Sequence, residues 1–292
     1  MNENNNIQCI PSFSINQLQV DVLRLDDIHP IISGNKWFKL KYYIQFAQAN
    51  QAKTIASFGG PYSNHLVALS YVAKQNNLKS IGYVRANGNE PITPSLQEAV
   101  SYGMELRFLG RAHFQKLKNK LIQNNSSTAI FFVDEGGYGT LGAKGAATIL
   151  NNEKTNNYSH IVCAVGTGTM MAGLINASNT HQHIIGIPVL KNEQSIAHEI
   201  NWLLTDTKKN YTLLHDFHLG GYAKTTQMQF DFMNQLWETE KIPTDIVYTS
   251  KLFMAVKKLI HSDYFSSASK ILIVHSGGLQ GNRSVAVGTL LF

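Results

Sequence analysis

From about residue 50 onward, short apolar runs alternate along the chain with stretches whose apolar residues recur at helical spacing. The runs Thr54–Phe58, Ser80–Arg85, Glu105–Leu109, Ala129–Asp134, His160–Val165, His183–Val189 and Lys270–His275 predict strands. Between them Asn64–Gln75, Pro94–Tyr102, Leu141–Leu150, Thr169–Ala177 and Thr225–Trp237 predict helices. In the last of these, Met228, Phe232 and Leu236 are spaced by four and are expected to share one face. Strands alternating with helices call for parallel sheets covered on both faces, an α/β architecture. Two polar patches, Asn124–Thr128 and Asn151–Ser159, interrupt the pattern, and the second is the expected crossing between two lobes. In such sheets ligands sit beyond the C-terminal ends of strands. The segments that leave a strand and open a helix are therefore where chemistry is expected.

Composition narrows the classes. The 292 residues are 43% apolar and only 15% charged, which suits a globular enzyme with a sizeable core. The net charge of +6 is mild for this length, and its densest stretches, Lys116–Lys120 and Lys257–Lys258, read as solvated helix faces. Nucleic-acid binding is not expected on that basis. The two cysteines, Cys9 and Cys163, make neither a disulfide framework nor a metal site, and Cys163 is expected to be a small buried hydrophobe. The polar, Asn-rich start lacks the features of a signal peptide, and no apolar run approaches the ~20 residues of a membrane span. A reducing cytoplasm is the expected compartment.

Five segments carry candidate chemistry. In Ser33-Gly34-Asn35-Lys36, a turn places Lys36 in the first turn of a helix running to about Ala49. The positive end of a helix dipole disfavours a cation there and favours the neutral, nucleophilic amine; a surface lysine is the simpler explanation. In Ser57-Phe58-Gly59-Gly60-Pro61-Tyr62-Ser63-Asn64-His65, a strand ends in paired glycines and Ser63 caps the following helix, whose free N–H groups could bind a carboxylate. In Gly166-Thr167-Gly168-Thr169, a strand runs into a Gly/Thr turn that opens a helix, either a bare turn or a phosphate cradle of N–H groups and hydroxyls. It is not a dinucleotide fingerprint, because its glycines stand at 166, 168 and 173 and the next acid is Glu193. Gly137 to Lys144 misses the P-loop pattern, with its lysine one place late. Val247-Tyr248-Thr249 and His275-Ser276-Gly277-Gly278 are weaker alone, with Tyr248 readable as core and Ser276 as a cap.

Taken in order, G-N-K, G-G-x-x-S-N-H, E-G-G-Y at Glu135–Tyr138, G-T-G-T, V-Y-T and H-S-G-G, the set resembles the 1-aminocyclopropane-1-carboxylate (ACC) deaminase and D-cysteine desulfhydrase family. The resemblance runs from about Pro30 to Leu290. It implies pyridoxal 5′-phosphate (PLP) as cofactor and the two-domain fold type II of the tryptophan synthase β-subunit superfamily, each domain a mostly parallel sheet flanked by helices. The expected division is residues 1–39 with 146–292 as the large cofactor-binding domain and 40–145 as the small one.

By position, the resemblance makes Lys36 the lysine that holds PLP, Asn64 the partner of its phenolic oxygen, and Gly166, Thr167, Gly168 and Thr169 its phosphate loop. Ser276 would be the neutral partner of the pyridine nitrogen. Ser63 matches the catalytic serine near the substrate carboxylate, with Asn64 and His65 beside it. Tyr248 matches the tyrosine at the reacting carbon, and Tyr222 a second active-site tyrosine, although Ala223-Lys224-Thr225 departs from the family's Gly-rich context. ACC deaminases carry Glu where this chain has Thr249, as the desulfhydrases do. The resemblance thus implies a PLP-dependent lyase giving keto acid, ammonia and sulfide from a D-cysteine-like substrate. ACC deaminase is the alternative within the class, and a non-catalytic PLP-binding protein the alternative outside it. A homodimer acting on a small amino acid is expected, with no metal, nucleic acid or membrane.

Overall fold

The computed structural model describes residues 6–32, 34–88, 91–123, 129–191, 195–206 and 210–292. Ser33, Glu193 and the patch at 124–128 lie outside the described residues. In chain order the elements are β1 (Ile7–Cys9), β2 (Gln19–Arg24), α1 (Asn35–Ala49), β3 (Thr54–Gly59), α2 (Asn64–Gln75), β4 (Lys79–Arg85), α3 (Pro94–Ser101), β5 (Met104–Leu109), α4 (Arg111–Gln123), β6 (Ile130–Val133) and α5 (Thr140–Ala147). They continue with β7 (His160–Val165), α6 (Thr169–Ala177), β8 (His183–Pro188), α7 (Ile196–Trp202), β9 (Tyr211–Leu213), α8 (Gln227–Glu240), α9 (Thr249–His261) and β10 (Lys270–His275).

The chain divides into two compact units, one of Met1–Asn35 with Ala146–Phe292 and the other of Lys36–Gly145. One border between the two units falls at 35/36. The return falls at 145/146, inside α5, so the patch Asn151–Ser159 is not the crossing. That patch is instead built into the first unit. Gln182 Nε2 donates to the carbonyls of Thr155 and Tyr158, and Thr155 is itself buried.

The second unit holds a four-stranded parallel sheet in the order β5-β4-β3-β6. Ala56, Phe58, Ile81, Tyr83 and Phe132 of its strands pack with Phe114 of α4. The first unit holds a six-stranded sheet in the order β1-β2-β10-β7-β8-β9, parallel except for the edge strand β1. Its core brings Val162, Ile185, Ile187, Ile271 and Ile273 against Phe253, Val256 and Ile260 of α9. Cys163 is fully buried, and Cys9 is exposed. The basic stretches lie on helices as expected, and Lys257 and Lys258 of α9 sit over the rings of Phe232 and Phe217.

Helix α8 buries more than the face that carries Met228, Phe232 and Leu236. Met228 is exposed, Phe232 packs partly buried against the core, Leu236 is buried, and Gln229 and Met233 are buried beside it. Gln229 can occupy the interior because its Nε2 donates to the Ile246 carbonyl and to Ser250 Oγ, which offsets the cost of burying an amide. No helix among the described residues is long and apolar enough to cross a membrane.

Candidate functional site

Helix α1 begins one residue before Lys36, so that lysine stands in the first turn as expected. Lys36 is half-buried, while Lys39, one turn on, is buried with Nζ donating to the Gly136 carbonyl at 3.2 Å. The Gly59–Ser63 turn leaves the C-terminal end of β3 and enters α2. Ser63 caps that helix, its Oγ accepting from the Leu66 N–H at 3.2 Å. Thr93, the cap of α3, donates its hydroxyl to the Pro61 carbonyl and pins the turn from outside. The Ser63 hydroxyl proton and the first N–H groups of α2 are the groups this turn can offer to an anion.

His65 is buried beside this turn. Ser57 Oγ donates to the Val133 carbonyl at 2.8 Å and stands 2.8 Å from His65 Nε2. A hydroxyl has one proton, so Nε2 must be the donor to Ser57. Burial, reinforced by the charges of Lys36 and Lys39, holds the imidazole well below its usual protonation range. The ring is neutral, and its Nδ1 has no donor among the described residues.

In the first unit, β7 runs into the Gly166–Thr169 turn and α6. Gly168 caps α6 at φ +77°, and a Cβ there would lie 2.7 Å from Ile200 Cγ1. Only glycine meets both conditions. The backbone N–H groups of Gly166, Thr167 and Gly168 donate to no carbonyl among the described residues. The Thr167 and Thr169 hydroxyls lie 3.0 Å apart. Together with the first turn of α6 they form a set of donors at the end of β7.

The next segment is organised by a residue that sequence reading passed over. Asp245 is fully buried. Its Oδ2 accepts from the N–H groups of Val247 (2.8 Å) and Tyr248 (3.0 Å), and its Oδ1 from the N–H (2.8 Å) and hydroxyl (2.7 Å) of Thr249. Thr249 Oγ1 in turn accepts from the Asp245 N–H at 2.7 Å. Both hydrogen-bonding roles of Thr249 are thus spent inside the turn, and its side chain is buried. The signal that could have revealed this is an Asp four residues before a Thr at the start of an amphipathic helix. The turn presents Tyr248, and the exposed Tyr222 stands edge-on to it with ring centroids 6.2 Å apart.

At the end of β10, His275 is buried, its Nε2 donating to the Pro243 carbonyl at 2.6 Å and its Nδ1 lying 3.1 Å from Asp26. Burial raises the Asp26 carboxyl, but His275 and the Arg24 guanidinium outweigh it and hold the group below its usual range. Ser276 follows and is buried. No cluster of three or more His, Cys, Asp or Glu able to hold a metal occurs among the described residues.

A family model described as pyridoxal-phosphate dependent enzyme matches residues 4–277. The chain belongs to this family. It is a PLP-dependent enzyme. A Thermotoga maritima protein provisionally named 1-aminocyclopropane-1-carboxylate deaminase is 25% identical over 281 residues, covering 89% of this chain and 88% of its own. A D-cysteine desulfhydrase from Klebsiella pneumoniae is 26% identical over 289 residues, with 88% and 86% covered. Among solved structures, one described as an ACC deaminase homologue superposes with a TM-score of 0.82 at 23% identity, covering 95% of this chain and 90% of its own. The two mostly parallel sheets flanked by helices are those of PLP fold type II.

Proposed function

We propose that this PLP-dependent enzyme is a deaminating lyase of small amino acids, D-cysteine desulfhydrase-like, with the cofactor carried on Lys36. The residues present fit the cofactor. The uncommitted N–H groups at Gly166–Gly168, the two threonine hydroxyls and the start of α6 suit a phosphate, with no lysine or arginine in the turn. Ser276 has a hydroxyl to offer the ring nitrogen, and Asn64 would serve the phenolic oxygen. Bound there, PLP would supply an electron sink for charge developing at the substrate α-carbon. Residues 1–39 and 146–292 would form the cofactor-binding domain, and 40–145 the small domain.

The chain's own residues would then do the following. The Ser63 hydroxyl, Asn64 and the first N–H groups of α2 would hold the substrate carboxylate. His65 Nδ1, a buried acceptor, would take a hydrogen bond from the substrate side. The Lys36 amine would remove the α-proton, and Tyr248 with Tyr222 would hold or deliver a proton at the reacting carbon. For D-cysteine and one water the products are pyruvate, ammonia and hydrogen sulfide.

The observation that carries elimination over ring opening is the withdrawal of Thr249 into the Asp245 turn, which leaves the neutral Ser276 hydroxyl as the group available to the ring nitrogen. A neutral partner does not hold the ring protonated, so the sink is weaker. Loss of a β-thiol discharges the developing charge quickly. ACC has no α-proton for the Lys36 amine to remove, so its opening would need a group acting at a cyclopropane carbon. The names of the Thermotoga relative and of the solved homologue favour ACC deaminase as the second reading. Comparing kcat/KM for sulfide release from D-cysteine with 2-oxobutanoate release from ACC tests the order. A tenfold preference for D-cysteine, about 1.4 kcal/mol at the transition state, is expected, and equal or better turnover of ACC reverses the reading. Failure to release keto acid from any D- or L-amino acid would leave a PLP-binding protein without catalysis. The assembly is proposed to be a cytoplasmic homodimer, testable by light scattering.

A further inference from the structure

Lys251 is a buried cation that the reaction outlined above does not use. It lies in the first turn of α9, three residues after Tyr248, and is fully buried. Its Nζ donates to the carbonyls of His218 at 2.9 Å and Gly221 at 2.5 Å. Those two carbonyls bracket the turn that carries Tyr222. The turn is costly to hold. Leu219 (φ +48°), Gly220 (+86°), Gly221 (+115°) and Ala223 (+53°) all adopt the left-handed side of backbone space, which for non-glycine residues costs roughly 1–2 kcal/mol each. Within it, Gly221 N–H donates to the His218 carbonyl, Gly220 N–H to His218 Nδ1, and Lys224 N–H to the Gly221 carbonyl. Tyr222 projects from it, exposed, with its ring against Tyr248.

We infer that Lys251 is a positioning residue: by clamping the carbonyls of His218 and Gly221 it fixes the turn that holds Tyr222 edge-on to Tyr248. One helix start thereby sets both tyrosines, Tyr248 through the Asp245 cap and Tyr222 through Lys251. Burial pulls the amine down to about 8 against the opposing attraction of Asp245, so the clamp is held at a desolvation cost that a merely space-filling side chain would not incur. The catalytic consequence rests on the proposed role of Tyr222, whereas the clamp itself does not.

The test uses the holoenzyme with Lys251→Met, Lys251→Arg, Tyr222→Phe and the double variant Lys251→Met/Tyr222→Phe. Amide exchange is followed at 218–224 and across α9, and kcat and KM are measured. In Lys251→Met, exchange at 218–224 should rise at least tenfold while α9 stays protected. Its kcat should fall at least fivefold with KM changed less than twofold, and the double variant should be no slower than the slower single one. Lys251→Arg should restore part of both protection and kcat. Unchanged exchange at 218–224, or loss of protection throughout α9, would overturn the inference. A loosened turn with wild-type kinetics in Tyr222→Phe would support the clamp and reject the role of Tyr222. Should Lys251→Met not fold, Lys251→Gln, which keeps an N–H donor on a shorter stem, carries the same comparison.

Discussion

The backbone N–H of Asn35 donates to the carbonyl of Ser276 at 3.0 Å, tying the first residue of α1 to the turn that ends β10. The contact requires glycine one residue earlier. Gly34 is at φ +71°, and a Cβ on it would lie 1.8 Å from the Ser276 oxygen. Gly34→Ala should therefore cost at least about 3 kcal/mol, from left-handed strain and backbone overlap together. Gly60→Ala is the control, since a Cβ there meets nothing within 4 Å, and it should shift stability by no more than about 0.5 kcal/mol. Urea midpoints measure both. Similar midpoints for the two variants would mean that the turn is not held by this contact.

Lys36 and Lys39 should separate chemistry from packing. Lys36→Ala is expected to remove the visible absorbance of the bound cofactor and the activity, with stability within about 0.5 kcal/mol of the parent. Lys39→Ala loses the bond to the Gly136 carbonyl and should cost about 1.5–3 kcal/mol while keeping the absorbance. Borohydride reduction followed by peptide mass mapping locates the attachment. A reduced adduct on Lys39 or Lys224 would reject Lys36.

Thr249→Glu is expected to destabilise the protein and not to convert it into an ACC deaminase. The new carboxylate would enter a fully buried position already occupied by the Asp245 carboxylate. An uncompensated buried charge typically costs about 3–5 kcal/mol. Part of that loss should return as the solution is acidified and one acid takes up a proton. Thr249→Ser keeps the hydroxyl and should remain close to the parent. Denaturation at neutral and mildly acidic pH measures this. A stable glutamate variant with preference shifted toward ACC would show that residue 249 can leave the turn.

His65 predicts an acid-limb loss of stability. Its folded-state protonation lies well below the ordinary value near 6.5, through burial and then the Lys36 and Lys39 charges. Below that ordinary value the unfolded chain takes up a proton that the folded chain refuses, so stability falls as pH drops. His65→Gln, which keeps a donor for Ser57, should flatten the decline between about pH 6.5 and 5. An equally steep decline in the variant would mean that another group dominates.

Periodicity and turn chemistry made much of this protein legible from sequence alone. The strands from β3 onward, apart from the short edge β9, follow from local apolar runs. The helix at Lys36, the Ser63 cap and the three glycine turns follow from residue types at fixed offsets. These are local properties of the chain, decided within a few residues. Tertiary structure decided the rest because the deciding partners are distant in sequence. Strand β2 was hidden by Asp21 and Arg24 in its middle and at its end. Asp21 is satisfied by the Tyr158 hydroxyl and Gln19, and Arg24 by Asp26 and Gln8. Gln229 is buried on α8 for the same reason, its amide being met by Ile246 and Ser250. Asp245 and Lys251 look like ordinary surface charges until the fold surrounds them. A buried polar group is stable only when its partners are in place, and only the folded chain shows where those partners are.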